Sequence, residues 1–152
     1  MGLYINLGDE NFRQLRNDVF VDKSGPIGVI NKTIDKSNRL SCISRPRRFG
    51  KSYAAAMLAS YYCTGCDSSG LFDDFEIAKS PDYRKHMNQY NVLYLDITGF
   101  IGSKGLTKLL DTMEKALFKE AQKEYPKLSA ADSVDALLTS IVELTGHNLL
   151  LL

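Results

Sequence analysis

Hydrophobic positions in this chain follow two spacings, and each predicts a different kind of element. Ile27, Ile30 and Ile34 recur at helical spacing behind Ser24 and Pro26, the arrangement of a helix with proline in its first turn. Upstream, Asp9 is suited to cap a short helix carrying Phe12 and Leu15 on one face, and Phe20-Val21 is a brief extended piece. Lys51 to Tyr62 is Ala-rich, with Ala55, Met57, Leu58 and Tyr62 as apolar content, and predicts a helix. Cys66 to Lys79 reads as loop with a turn at Leu71-Phe72, and Ser80-Pro81-Asp82 signals a short helix to about Asn88. Ser103 to Tyr125 is a long amphipathic helix with Leu106, Leu109, Leu110, Met113, Leu117 and Ala121, stopped by Pro126. Asp132 or Ser133 opens a last helix carrying Val134, Leu137, Leu138, Ile141 and Leu144, and Gly146 closes it.

Between these helices stand short apolar runs of strand type. Leu40-Ser41-Cys42-Ile43-Ser44 is the first, Asn91 to Thr98 the second, and Asn148 to Leu152 starts the third. Strands alternating with helices predict an α/β fold with a parallel sheet and right-handed crossovers. Nothing repeats internally and no linker divides the chain.

Composition narrows the class. A chain of 152 residues fits one domain with a real core, and its net charge of +1 gives no bulk argument for nucleic acid. Its start lacks the basic and apolar regions of a signal peptide, and no stretch approaches the ~18–20 apolar residues of a membrane span. Three cysteines, Cys42, Cys63 and Cys66, fit a reducing compartment, so a cytoplasmic protein without membrane contact is expected. Cys63-Thr64-Gly65-Cys66 has redox spacing, but it follows a helix instead of opening one and reads better as a helix end with Gly65 as a left-handed cap. His86 and His147 do not complete a metal-ligand spacing with it.

The candidate chemistry is concentrated in Arg45-Pro46-Arg47-Arg48-Phe49-Gly50-Lys51-Ser52, which ends like the phosphate-binding loop G-x-x-x-x-G-K-[ST] but has Arg45 in place of the first glycine. In such a loop, backbone N–H groups point at phosphate oxygens and the following helix adds its positive end. Gly50 lets the backbone approach closely, Lys51 reaches the β- and γ-phosphates, and the Ser52 hydroxyl holds Mg²⁺. The expected nucleotide-binding set is therefore Arg45, Pro46, Arg47, Arg48, Phe49, Gly50, Lys51, Ser52 and Tyr53, with nucleotide phosphates and Mg²⁺ as ligands. Three arginines so close should repel one another and stay exposed unless an anion is present. Arginine forks suit nucleic-acid phosphates too, so a nucleic-acid-binding module is one alternative, and a protein-interaction domain that kept the fold without the chemistry is another.

The run Ile43 to Ser52 resembles the signature of a bacterial AAA-ATPase-like family, in which the arginine-rich loop regularly replaces the first glycine. Ile5-Asn6-Leu7-Gly8 with Asn11-Phe12 resembles the family's opening segment, Phe20-Val21-Asp22-Lys23-Ser24 its Y-V-D-K-T motif, Gly70-Leu71-Phe72 its L-F segment, and Tyr94-Leu95-Asp96-Ile97 its second strand. The resemblance implies ATP as the nucleotide and a P-loop NTPase-like three-layer sandwich over residues 1–152, with a helical lead-in at 1–38 and the P-loop core at 39–152. In relatives a nuclease-like domain of the PD-(D/E)XK type usually follows. Hydrolysis needs a second strand ending in a metal-orienting carboxylate. Val92-Leu93-Tyr94-Leu95-Asp96 matches that pattern literally, while the resemblance points to the run at Leu149, whose acidic end would lie beyond Leu152. On the second reading the chain is cut before its catalytic carboxylate, ATP turnover is slight, and the Leu149 strand runs beside the Leu40–Ser44 strand or one place from it. Exposed strand edges would then favour self-association. No catalytic residue is assigned.

Overall fold

The computed structural model describes residues 2–17, 20–44, 46–101, 108–128 and 131–152. Six α-helices are described among them: α1 (Glu10–Arg16), α2 (Gly25–Asn31), α3 (Lys51–Tyr62), α4 (Ile97–Ile101), α5 (Leu109–Glu124) and α6 (Val134–Thr145). A 3-10 turn spans Glu76–Lys79, and the strands are β1 (Asn91–Leu93) and β2 (Leu149–Leu151). The described sheet is a parallel pair, with Asn91 opposite Leu149, Val92 opposite Leu150 and Leu93 opposite Leu151. The helices of residues 97–145 lie in sequence between the strands, as a parallel pair requires. The chain divides into two compact units, Gly8–Gln89 and Met1–Leu7 with Tyr90–Leu152.

In the second of these units, the N-terminal segment is pinned by backbone and side-chain bonds. Ile5 bridges Leu93, Asn6 donates its backbone N–H to Val92 at 2.8 Å, and Tyr94 donates to Tyr4 at 2.7 Å. Asn6 sits at φ 52°, and its side-chain oxygen accepts the Val92 N–H at 2.7 Å. Its amide reaches Asn91 Oδ1 and the Tyr125 hydroxyl, while the buried Asn91 amide donates to Thr145 and to the His147 carbonyl at 2.7 Å each. Asparagine tolerates the left-handed region better than most residues because its short polar side chain bonds locally. The buried Glu120 carboxylate of α5 accepts the Tyr4 and Ile5 N–H groups, at 2.8 and 2.7 Å. Ile5, Leu93, Leu117, Ala121, Leu137 and Ile141 form the apolar centre beneath it. Ser133 caps α6 by accepting the Ala136 N–H at 3.2 Å, and Gly146 closes the helix at φ 71°.

The Gly8–Gln89 unit is built on aromatic rings around the buried half of α3. Phe12 stacks on Phe72 with centroids 5.2 Å apart, Phe20 stacks on Phe75 at 5.3 Å, and Tyr61 meets Phe72 edge-on at 5.4 Å. Asn31 at the end of α2 ties both tyrosines of α3, donating to the Tyr61 hydroxyl at 3.0 Å and accepting from that of Tyr62 at 2.7 Å. The Tyr61 hydroxyl donates in turn to the Tyr83 carbonyl.

Several expected elements differ. Leu40–Ser44 is not a strand: it is exposed throughout, with Leu40 92% exposed, and β2 pairs with β1 instead. An apolar run holds strand geometry only when a neighbour takes its N–H and C=O groups, and no described strand lies on either side of this one. The strand expected over 91–98 is shorter, because Asp96 turns the chain into α4 by accepting the Thr98 N–H at 3.0 Å and hydroxyl at 2.6 Å. Those bonds hold the Asp96 carboxyl below the usual range. Residues 80–88 form turns, not a helix. Asn88 sits at φ 57°, and its side chain donates to Cys63 O at 2.9 Å and accepts from Ser68 N at 3.1 Å, fixing a loop. Asp9 precedes α1 without a side-chain cap and pairs with Arg13 at 2.6 Å instead. The long helix is described from Leu109, and its expected start at 103–107 lies outside the described residues.

Two stability outcomes follow. Glu120→Ala strands two N–H groups that the carboxylate now accepts, and denaturant unfolding should show a loss of about 2–4 kcal/mol, with Glu120→Gln losing less. An unchanged midpoint would exclude that role. His86 is buried, and burial lowers its pKa below the ordinary value. The unfolded chain therefore takes up the proton first, so stability is full above pH ~6.5 and falls as pH drops below it. His86→Gln should flatten thermal midpoints measured between pH 7.5 and 5.5 if this group is responsible.

Candidate phosphate-binding site

Gly50 is the residue on which the site turns. It precedes α3 at φ 76°, in the left-handed region where a Cβ is costly, and its carbonyl accepts the first helical bond, from Ala54 N at 2.9 Å. Arg48 is also left-handed, at φ 68°, whereas Phe49 between them is not. A backbone that changes hand over successive residues can aim N–H groups to a common side, the geometry that anion-binding nests use. α3 then runs for 12 residues, so its positive end faces the same loop.

The side chains are arranged around this turn. Lys51 folds back and donates its ammonium to the Pro46 carbonyl at 3.1 Å, spanning the loop from helix to entry. Pro46, Arg47, Arg48, Lys51 and Ser52 are exposed, and Phe49 and Tyr53 are more than half exposed. The exposure expected of the arginines therefore holds for Arg47 and Arg48, while Arg45 lies outside the described residues. By Met57 the same helix is buried, so one element joins an open, cationic start to a packed end.

A cavity of about 170 Å³ opens beside the loop. Arg48, Gly50, Tyr53, Ala54 and the buried Met57 line it from the loop and α3. Phe20, Val21 and Lys23 complete the wall. This is smaller than the ~300–1,000 Å³ of a typical ligand pocket and would hold part of a ligand. Sequence reasoning found the loop but not the lining from residues 20–23. The signal was the segment Phe20 to Ser24, which had a resemblance and no assigned chemistry.

The other candidates carry less. Cys63 is buried and Cys66 half-buried, neither in a disulfide, with Gly65 left-handed between them at φ 80°. A hydrogen bond between the thiols lowers the Cys63 pKa, and that bond together with burial raises that of Cys66. Among the described residues no group of three or more acidic, histidine or cysteine side chains could hold a metal, and no helix is long and apolar enough to cross a membrane.

Gly50→Ala should cost about 1–2 kcal/mol, because alanine at this φ is strained and its Cβ would come within 3.4 Å of the Lys23 ammonium. Thermal unfolding measures it, and a variant as stable as the parent would mean that the turn is not left-handed in solution.

A family model described as a predicted AAA-ATPase matches residues 6–152. No curated protein and no solved structure matches the chain significantly.

Proposed function

The chain belongs to the AAA-ATPase-like family, and from that premise we propose that it is a nucleotide-binding module whose Arg45-to-Tyr53 segment holds the phosphates of ATP. The observation that carries the reading is the left-handed Gly50 at the start of α3 with Lys51 and Ser52 directly after it. Loop N–H groups and the helix end receive phosphate oxygens, and the Lys51 ammonium exchanges the Pro46 carbonyl for a β- or γ-phosphate oxygen. Arg47 and Arg48 are exposed where a bidentate contact to the phosphate chain is open to them.

Magnesium fits this site as a companion of the phosphates. The Ser52 hydroxyl is exposed in the first turn of α3, and Mg²⁺ commonly takes few protein ligands, keeping waters and phosphate oxygens for the rest. When bound, the ion would neutralise charge between the terminal phosphates. Residues 1–152 are read as a P-loop-type α/β chain, with residues 1–38 leading into the core at 39–152, and the parallel pairing of β1 with β2 supports the α/β class.

Calorimetric titration with ATP, with and without Mg²⁺, tests the proposal. Lys51→Ala should weaken binding roughly 10- to 150-fold, the worth of one charge-assisted contact of ~1.5–3 kcal/mol. Ser52→Ala should reduce the gain from Mg²⁺ more than metal-free binding. Unchanged affinity in Lys51→Ala would remove the loop from the account. Salt-sensitive DNA binding without nucleotide binding would replace it with a nucleic-acid contact.

A further inference from the structure

We infer that Lys23 is a second phosphate-binding cation of this site, held against the loop by Asp22 and Ser24; the inference rests on the nucleotide reading above and adds the residue that faces the loop from its other side. Three observations carry it. The Lys23 ammonium comes within 3.4 Å of where a Cβ on Gly50 would stand, so it reaches the turn of the loop itself. It lines the same cavity as Arg48 and Tyr53. Among the described residues neither Lys23 nor Arg48 forms an ion pair, and their like charges share one small cavity. An anion entering between them relieves that repulsion and gains both attractions.

The neighbours of Lys23 explain why it points there. Asp22 accepts the Ser24 N–H on one oxygen at 2.8 Å and the Glu76 N–H on the other at 2.7 Å. The fully buried Ser24 accepts the Ile77 N–H on its hydroxyl at 3.1 Å. Both residues flanking Lys23 are therefore spent on capping the 3-10 turn at Glu76–Lys79, and the Asp22 carboxylate, the nearest negative charge in sequence, is occupied by N–H groups. Phe20, just upstream, is stacked on Phe75. The segment is fixed at both ends, and the exposed lysine between is presented at the loop. Asp22 and Ser24 act as positioning residues for it, which gives the Asp22-Lys23-Ser24 motif a chemical purpose.

The ligand class is a nucleoside polyphosphate, recognised by its phosphate chain. Titration of the full chain with MgATP and, separately, with inorganic triphosphate tests this in the parent, Lys23→Gln, Lys23→Arg, Asp22→Ala and Lys51→Ala. Lys23→Gln should lower affinity for both ligands about 10-fold, with a shallower salt dependence and an unchanged thermal midpoint, since the side chain is exposed. Lys23→Arg should stay within about threefold, because charge is what the site uses. Asp22→Ala should weaken binding in the parent, yet add nothing in the Lys23→Gln background, a non-additivity that a purely structural role would not produce. If Lys51→Ala loses affinity while Lys23→Gln binds like the parent, the inference fails and the nucleotide reading stands. If Lys23→Gln loses affinity while Lys51→Ala does not, Lys23 is confirmed as an anion contact and the loop lysine is not. Parent protein that binds neither ligand overturns both.

Discussion

The left-handed turn at Gly50 governs the candidate site. Ahead of it the chain is exposed and cationic; behind it α3 becomes buried within two turns. A helix buried along its second half cannot shift its first turn without disturbing Tyr61, Tyr62 and the rings that pack on them. Packing energy deep in the unit thus fixes the direction of the helix end, and the helix end is what gives the loop its electrostatic character. Glycine suits the junction because a side chain at this positive φ would carry strain.

The same core supports the facing wall. Phe20 belongs to the aromatic cluster that contains Phe12, Phe72 and Phe75, so the segment leading to Lys23 is anchored in the structure that anchors α3. Arg48 and Lys23 then line one small cavity, and the segment carrying Lys23 is held by its packing and hydrogen bonds. Preorganisation of this kind lets an anion bind without first ordering the groups that receive it, which is where affinity is most often lost.

Much of this was legible in the sequence, unevenly. The α3 bounds, the Ser133 and Gly146 ends of α6, and β2 followed from local signals: a helix-forming run, a capping hydroxyl, a left-handed glycine, an apolar run. Leu40–Ser44 misled because apolar content measures willingness to pair, while a strand also needs a partner present. Residues 80–88 misled because Asn88 offers the backbone bonds that compete with a helix. Within the site, Gly50, Lys51 and Ser52 were readable because their chemistry is set by adjacency. Lys23 was not, since its approach to Gly50 depends on Asp22 and Ser24 capping a turn more than fifty residues away in sequence.

The central claim is that backbone N–H groups around Gly50 receive the phosphates of a nucleotide. Amide hydrogen exchange across residues 46–54, with MgATP and with adenosine, measures those groups directly. The account predicts slowed exchange at Arg48 to Ser52 with MgATP and little change with adenosine, which lacks phosphate. Exchange in this segment that is indifferent to MgATP at saturating concentration, or equally slowed by adenosine, would contradict it.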